Sequence, residues 1–133
     1  MDTDRFYTIF NTKIIELLND LIILFPEDSN FKMYKTAINL AKLADEKKPL
    51  QYYNKFVTEE YKQHIRTKND KFFLDNDYKE ILGSSELSSE INMSNFSSQI
   101  VDRLKGYWSK ISDENKEIVW NYFNIFLKIS EKV

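Results

Sequence analysis

The stretch from Tyr107 to Leu127, YWSKISDENKEIVWNYFNIFL, holds both tryptophans of the chain and its densest run of apolar residues. Its period is helical. At about 100° per residue, Ile118, Val119, Tyr122, Phe123, Ile125, Phe126 and Ile129 share one broad face, and Trp120 and Leu127 lie together just beyond its edge. Glu117, Asn121, Asn124, Lys128 and Glu131 form the polar strip. Ser112 is placed to cap the free amides of the following turn, and Asp113 and Glu114 put negative charge at the positive end of the helix dipole. The stretch therefore reads as the end of one helix, a tight capped turn and a second helix. A helix apolar over so much of its circumference is either central in a bundle or keeps a second face for a partner.

The rest of the chain supplies helices for that hairpin to pack against. Two glycines and two prolines in 133 residues leave little turn chemistry for a many-stranded fold. From about Asp4 to Leu24, Phe6, Tyr7, Phe10, Ile14, Leu17, Leu18, Leu21 and Leu24 keep to one half of a helical wheel. Pro26 disfavours helical geometry at Phe25 and ends this helix, and Ser29 or Asp28 can cap the next. The second helix, roughly 29–46, carries Met33, Tyr34, Ala37, Ile38, Leu40, Ala41 and Ala44 on one side and Lys32, Lys35, Asn39 and Lys42 on the other. Pro49 suits the first turn of a third helix over about 49–67, with Tyr52, Tyr53, Phe56, Val57 and Tyr61 facing inward. After Phe72-Phe73-Leu74, Asp75-Asn76-Asp77 can cap a short helix ending at Gly83. The run GSSELSSEINMSNFSS at 83–98 has seven serines in sixteen positions and reads as a mobile loop. A further helix from about Asn95, striped by Ile100, Val101, Leu104, Trp108 and Ile111, leads into the hairpin. The expectation is an all-α, single-domain bundle of five to six helices spanning 1–133 with a C-terminal helical hairpin.

Most chemistries are excluded by the residues that are missing. No cysteine means no disulfide, thiol nucleophile or thiolate metal site. Two glycines, Gly83 and Gly106, cannot build a phosphate-cradling loop. The carboxylate pairs Asp45/Glu46, Glu59/Glu60 and Asp113/Glu114 are neighbours in sequence, so on a helix they point apart and read as surface charge. His64, the only histidine, follows Glu60 by four residues, but two such groups fall short of the three or more protein ligands a metal site needs. No cofactor and no metal are expected. The most apolar run, Ile14 to Phe25, is a dozen residues broken by Glu16, Asn19 and Asp20, so it is expected to be a core helix and not a membrane span. The start, Met-Asp-Thr-Asp-Arg-Phe, is acidic where a secretory leader is basic, which argues for an intracellular protein.

The pattern Trp108-Ser-Lys-Ile111-Ser112-Asp-Glu-Asn-Lys-Glu-Ile118-Val119-Trp120-Asn-Tyr122, together with the earlier Leu24-Phe25-Pro26, resembles small helical proteins of unknown function encoded by giant nucleocytoplasmic large DNA viruses. The resemblance covers about twenty residues closely and implies a place in the virus factory, the host cytoplasm or the virion. It carries over no catalytic residue. The residues themselves point to a non-enzymatic module that binds protein, another component or a second copy of itself, through Trp120, Leu127, Phe123 and Trp108, since tryptophan is the residue type that most often dominates interface energetics. The alternative is a nucleic-acid-binding accessory protein using the lysine-rich face of Lys32, Lys35 and Lys42. That reading is weaker, because no aromatic side chain is interleaved there for base stacking and 19 basic against 21 acidic residues leave a net charge of −2.

Overall fold

Pro26 and Asp28 set the first corner of the fold. The backbone leaves helical geometry at Phe25, whose N–H still closes on the Leu21 carbonyl at 2.9 Å. Asp28 then caps the second helix by accepting from the Asn30 amide at 2.9 Å. In the computed structural model, which describes residues 3–75 and 96–133 and the side chains of all of these except 96–98, the helices are α1 (Asp4–Leu24), α2 (Ser29–Ala44), α3 (Lys48–Phe56), α4 (Glu59–Arg66), α5 (Asp70–Asp75), α6 (Phe96–Tyr107) and α7 (Asp113–Ser130), with a 3-10 turn at Trp108–Lys110. No strand occurs among the described residues, and the fold is all-α. No helix among them is long and apolar enough to cross a membrane. The serine-rich stretch and the short helix expected to end at Gly83 lie outside the described residues as far as position 95, while 96–98 form the first turn of α6.

The described residues hold seven helices where five or six were expected, chiefly because the third breaks in two. In an unbroken helix Ile65 would lie about 120° round from Tyr53. The extended backbone at Val57 and Thr58 turns the chain so that Tyr53, Val57 and Ile65 are all buried. Glu59 and Glu60 in the first turn of α4 favour a helix start at that point. The Phe72-Phe73-Leu74 run is a helix of its own, α5.

The helices share one core, and α1 is its axis, with Phe10, Ile14, Leu17, Leu18 and Leu21 buried against α2, α3 and α7. Phe10 meets Tyr53 of α3 edge-on and Phe126 of α7 tilted, each at 5.3 Å between ring centroids, so three helices are joined by one aromatic cluster. At the other end of α1, Phe25 stacks on Tyr107 of α6 at 4.1 Å. The Tyr107 hydroxyl donates to Asp28 Oδ2 at 2.5 Å, and Arg103 Nε lies 3.8 Å from the same oxygen. Burial of the Asp28 carboxyl opposes its ionisation, but the Tyr107 hydroxyl, the two Asn30 amides and Arg103 outweigh it and hold the group below its ordinary value of 3.8.

The turn between α4 and α5 does without glycine. The Lys68 N–H returns to the Ile65 carbonyl and the Asn69 N–H to the His64 carbonyl, the paired bonds of a Schellman ending. This requires Lys68 to adopt φ 52°, the left-handed conformation. Such a conformation costs a residue with a Cβ about 1–2 kcal/mol. Lys68→Gly should therefore be more stable than Lys68→Ala, which loses the same exposed Lys68–Glu117 ion pair, by about 0.5–1 kcal/mol. Urea denaturation of the two variants checks this; equal midpoints, or a higher one for alanine, would contradict the strain.

A carboxylate whose folded pKa is depressed contributes stability above its ordinary pKa and loses it as pH falls through that value and on through the lowered one. Asp28→Asn keeps a capping side chain without the charge. The parent protein should lose more stability than this variant between pH 7 and pH 3, as measured by chemical denaturation at the two pH values.

Candidate functional site

The residues expected to face a partner from the hairpin are instead where the hairpin closes on itself. Trp120 is 5% exposed, Leu127 2% and Trp108 8%, and Phe123 is partly buried against the same core. The two indoles meet edge-to-face at 6.1 Å, and Asp70 lies between their N–H groups. Trp108 Nε1 donates to Asp70 Oδ2 at 3.0 Å and Trp120 Nε1 to Asp70 Oδ1 at 2.9 Å. Phe73, one turn along α5, packs on Trp120 at 5.6 Å. On the same side α4 contributes Ile65, whose carbonyl accepts from Asn124 Nδ2 at 3.3 Å. On this flank of α7 Trp120 is covered by α5 and Asn124 by α4, and of the two placements the sequence left open, core or partner face, Trp120 and Leu127 take the core. The wide apolar circumference of α7 reflects a central position, with α1 on one side and α4 on the other.

His64 is likewise structural. Its ring stacks on Phe72 at 3.7 Å and 10°, and its Nδ1 is 2.9 Å from Asn69 Nδ2; these are its partners rather than Glu60. Among the described residues no group of three or more His, Asp or Glu is placed to hold a metal ion. The carboxylates drawn into the structure, Asp28 and Asp70, are occupied by aromatic O–H and N–H donors.

The outer face of α1 and α2 holds what the core does not absorb. The buried stripe of α2 is Phe31, Tyr34 and Ile38. Leu40 lies about 200° round the wheel from Ile38 and Leu43 about 140°. They are 63% and 80% exposed, and on α1 Ile23 is 77% exposed. Met33 and Leu40 were expected inside; the stripe of 31, 34 and 38 leaves them out, a spacing that was present in the sequence and obscured by counting every apolar residue as core. A shallow groove runs between the two helices, walled by Asn19, Ile22 and Ile23 of α1 and by Lys32, Lys35, Thr36 and Asn39 of α2. Leu40 and Leu43 follow Thr36 and Asn39 by one helical turn and lie beyond the lining of the groove. Lys32, Lys35 and Lys42, the residues of the alternative reading, are all on this helix, and none of them enters an ion pair among the described residues. On the far side of Ile23 a second depression is lined by Leu24, Ile118 and Asn115, so apolar surface continues towards the start of α7.

No family model, no curated protein and no solved structure matches this chain.

Replacing Trp120 by alanine removes a large core side chain and should cost roughly 3–5 kcal/mol of stability. Asp70→Asn turns one of the two acceptors into a donor, leaves one indole N–H unpaired and should cost about 1–3 kcal/mol. Both are read from denaturant midpoints; a surface-like loss below about 0.5 kcal/mol in either variant would be inconsistent with the bridged tryptophan pair.

Proposed function

We propose that this protein is a non-enzymatic helical interaction module and that it meets a protein partner through the outer face of α1 and α2. The observation that carries this reading is the exposure of Ile23, Leu40 and Leu43, at 77%, 63% and 80%, on the outer side of α1 and α2, with Ile23 in a groove beside Lys32 and Lys35, which enter no ion pair among the described residues. Scattered single apolar residues are ordinary on a surface, but several on two adjacent helices with charged neighbours have the character of a contact site. Trp108, Trp120 and Leu127 are buried and Phe123 is half-buried against the core, so none of the four belongs to this face. The resemblance to helical proteins of giant DNA viruses suggests the setting: the virus factory, the host cytoplasm or the virion.

A second reading, nucleic-acid binding, is favoured by Lys32, Lys35 and Lys42 on the same helix. Against it, the groove sets Ile22 and Ile23 beside Lys32 and Lys35 and offers no further cation for a phosphate backbone and no ring on which a base could stack.

A photo-crosslinking residue at Leu43 or at Ile23 should trap a protein partner in expressing cells, while the same residue at exposed Asn54 of α3 should not. Leu43→Asp should cut the trapped yield at least several-fold without moving the unfolding midpoint, because Leu43 is exposed. Crosslinks that form equally at Asn54, or duplex DNA affinity that falls steeply with salt and is lost on Lys35→Glu, would remove the protein-binding reading.

A further inference from the structure

We infer that His64 is a pH-sensitive latch on α5, in which a proton on its ring disturbs the side chain that caps α5 and so loosens the carboxylate bridging the two tryptophans. The latch is three hydrogen bonds through one residue. The Asn69 N–H closes on the His64 carbonyl at 2.9 Å, Asn69 Oδ1 accepts from the Phe72 amide at 3.2 Å, and Asn69 Nδ2 lies 2.9 Å from His64 Nδ1. A backbone amide can only donate, so the Phe72 N–H fixes which end of the Asn69 side chain is oxygen. The end facing the ring is then the NH2 group, and Nδ1 accepts from it, which leaves the imidazole proton on Nε2.

A proton on Nδ1 turns that acceptor into a donor and sets N–H against N–H. Turning the Asn69 amide over would relieve the ring but would present NH2 to the Phe72 N–H, so the cap is lost either way. The ring itself lies flat on Phe72 at 3.7 Å, and an aromatic face attracts a cation, so the charged ring stays seated and the conflict falls on Asn69. The next residue, Asp70, is the one that receives both indole N–H groups. The charged groups along the surrounding elements are Glu60 and Arg66 on α4, Lys68 in the turn, Lys71 and Asp75 on α5, and Glu117 and Glu131 on α7. Lys68 pairs with Glu117 and Arg66 with Glu131, while Glu60, Lys71 and Asp75 are exposed. His64 enters no ion pair among the described residues, so Asn69 is the group that must answer a change in its charge.

The test follows the full chain, labelled with nitrogen-15, by nuclear magnetic resonance between about pH 7.5 and about pH 5.5, a range in which histidine ordinarily titrates and which lies above the ordinary carboxylate values. The indole N–H signals of Trp108 and Trp120 should move with the same midpoint as the carbon-bound ring protons of His64. Over the same interval the protection of the Phe72 amide against hydrogen exchange, corrected for the intrinsic effect of pH, should fall at least about fivefold. His64→Gln carries a neutral acceptor at every pH and should abolish both responses. Asn69→Asp offers one oxygen to the Phe72 N–H and the other to the charged ring, so its Phe72 amide should be better protected at the lower pH. Circular dichroism checks that both variants are folded, and if either is not, the responses of the parent chain decide. Indole signals that stay in place while the His64 ring titrates, a Phe72 amide equally protected at both ends of the range, or an Asn69→Asp variant that responds as the parent does would overturn the latch.

Discussion

Asp70 accepts from the indole nitrogens of Trp108 and Trp120 at once, one oxygen to each, and much of the architecture depends on that single carboxylate. Trp108 lies in the turn that ends α6 and Trp120 lies two turns into α7, so the bridge ties the two arms of the hairpin to the start of α5. Hydrogen bonds to an ionised group are among the stronger ones, about 1.5–3 kcal/mol each, and here they also satisfy two N–H groups that would otherwise be buried without partners. The left-handed turn at Lys68 delivers Asp70 to this position.

Asp28 plays a parallel part at the opposite corner. It caps α2, receives the Tyr107 hydroxyl and lies near Arg103, so α6 is tied to the α1–α2 turn just as the hairpin is tied to α5. Both interior carboxylates therefore join segments far apart in sequence through aromatic donors. In a chain with ten phenylalanines, eight tyrosines and two tryptophans, that is an economical way to orient rings that would pack equally well in several arrangements on hydrophobicity alone. Among the described residues no aromatic side chain is fully exposed, and most of the large exposed apolar side chains are Ile, Leu and Met of α1 and α2, on which the proposed contact face draws.

The sequence was legible wherever the determinant lies within a turn of the residue it governs. Pro26 ends α1, Asp28 caps α2, Pro49 lies in the first turn of α3, and Ser112 caps α7 by accepting from the Asn115 amide at 3.2 Å, all as local stereochemistry requires. Helical periodicity, with only two glycines and two prolines to make turns, pointed to the all-α class that the structure has. The same periodicity misjudged α2, because Met33 and Leu40 are apolar and close enough to the stripe to be counted with it, although Phe31, Tyr34 and Ile38 define a narrower one.

What only the tertiary structure decided is which flank of each helix is covered. Trp120 and Leu127 fall outside the main apolar stripe of α7 whether α7 is an edge helix or a central one; both are buried, Trp120 under α5, with α4 packed on the same helix. The break at Val57–Thr58, which frees α4 to do so, follows from long-range contacts of Val57 and Ile65 and not from any residue that forbids a helix there. A helix's own sequence sets its period, its ends and the width of its apolar arc. The placement of its neighbours is a property of the whole chain, and it turned an apparent interface at Trp120 into core and an apparent core residue, Leu40, into surface.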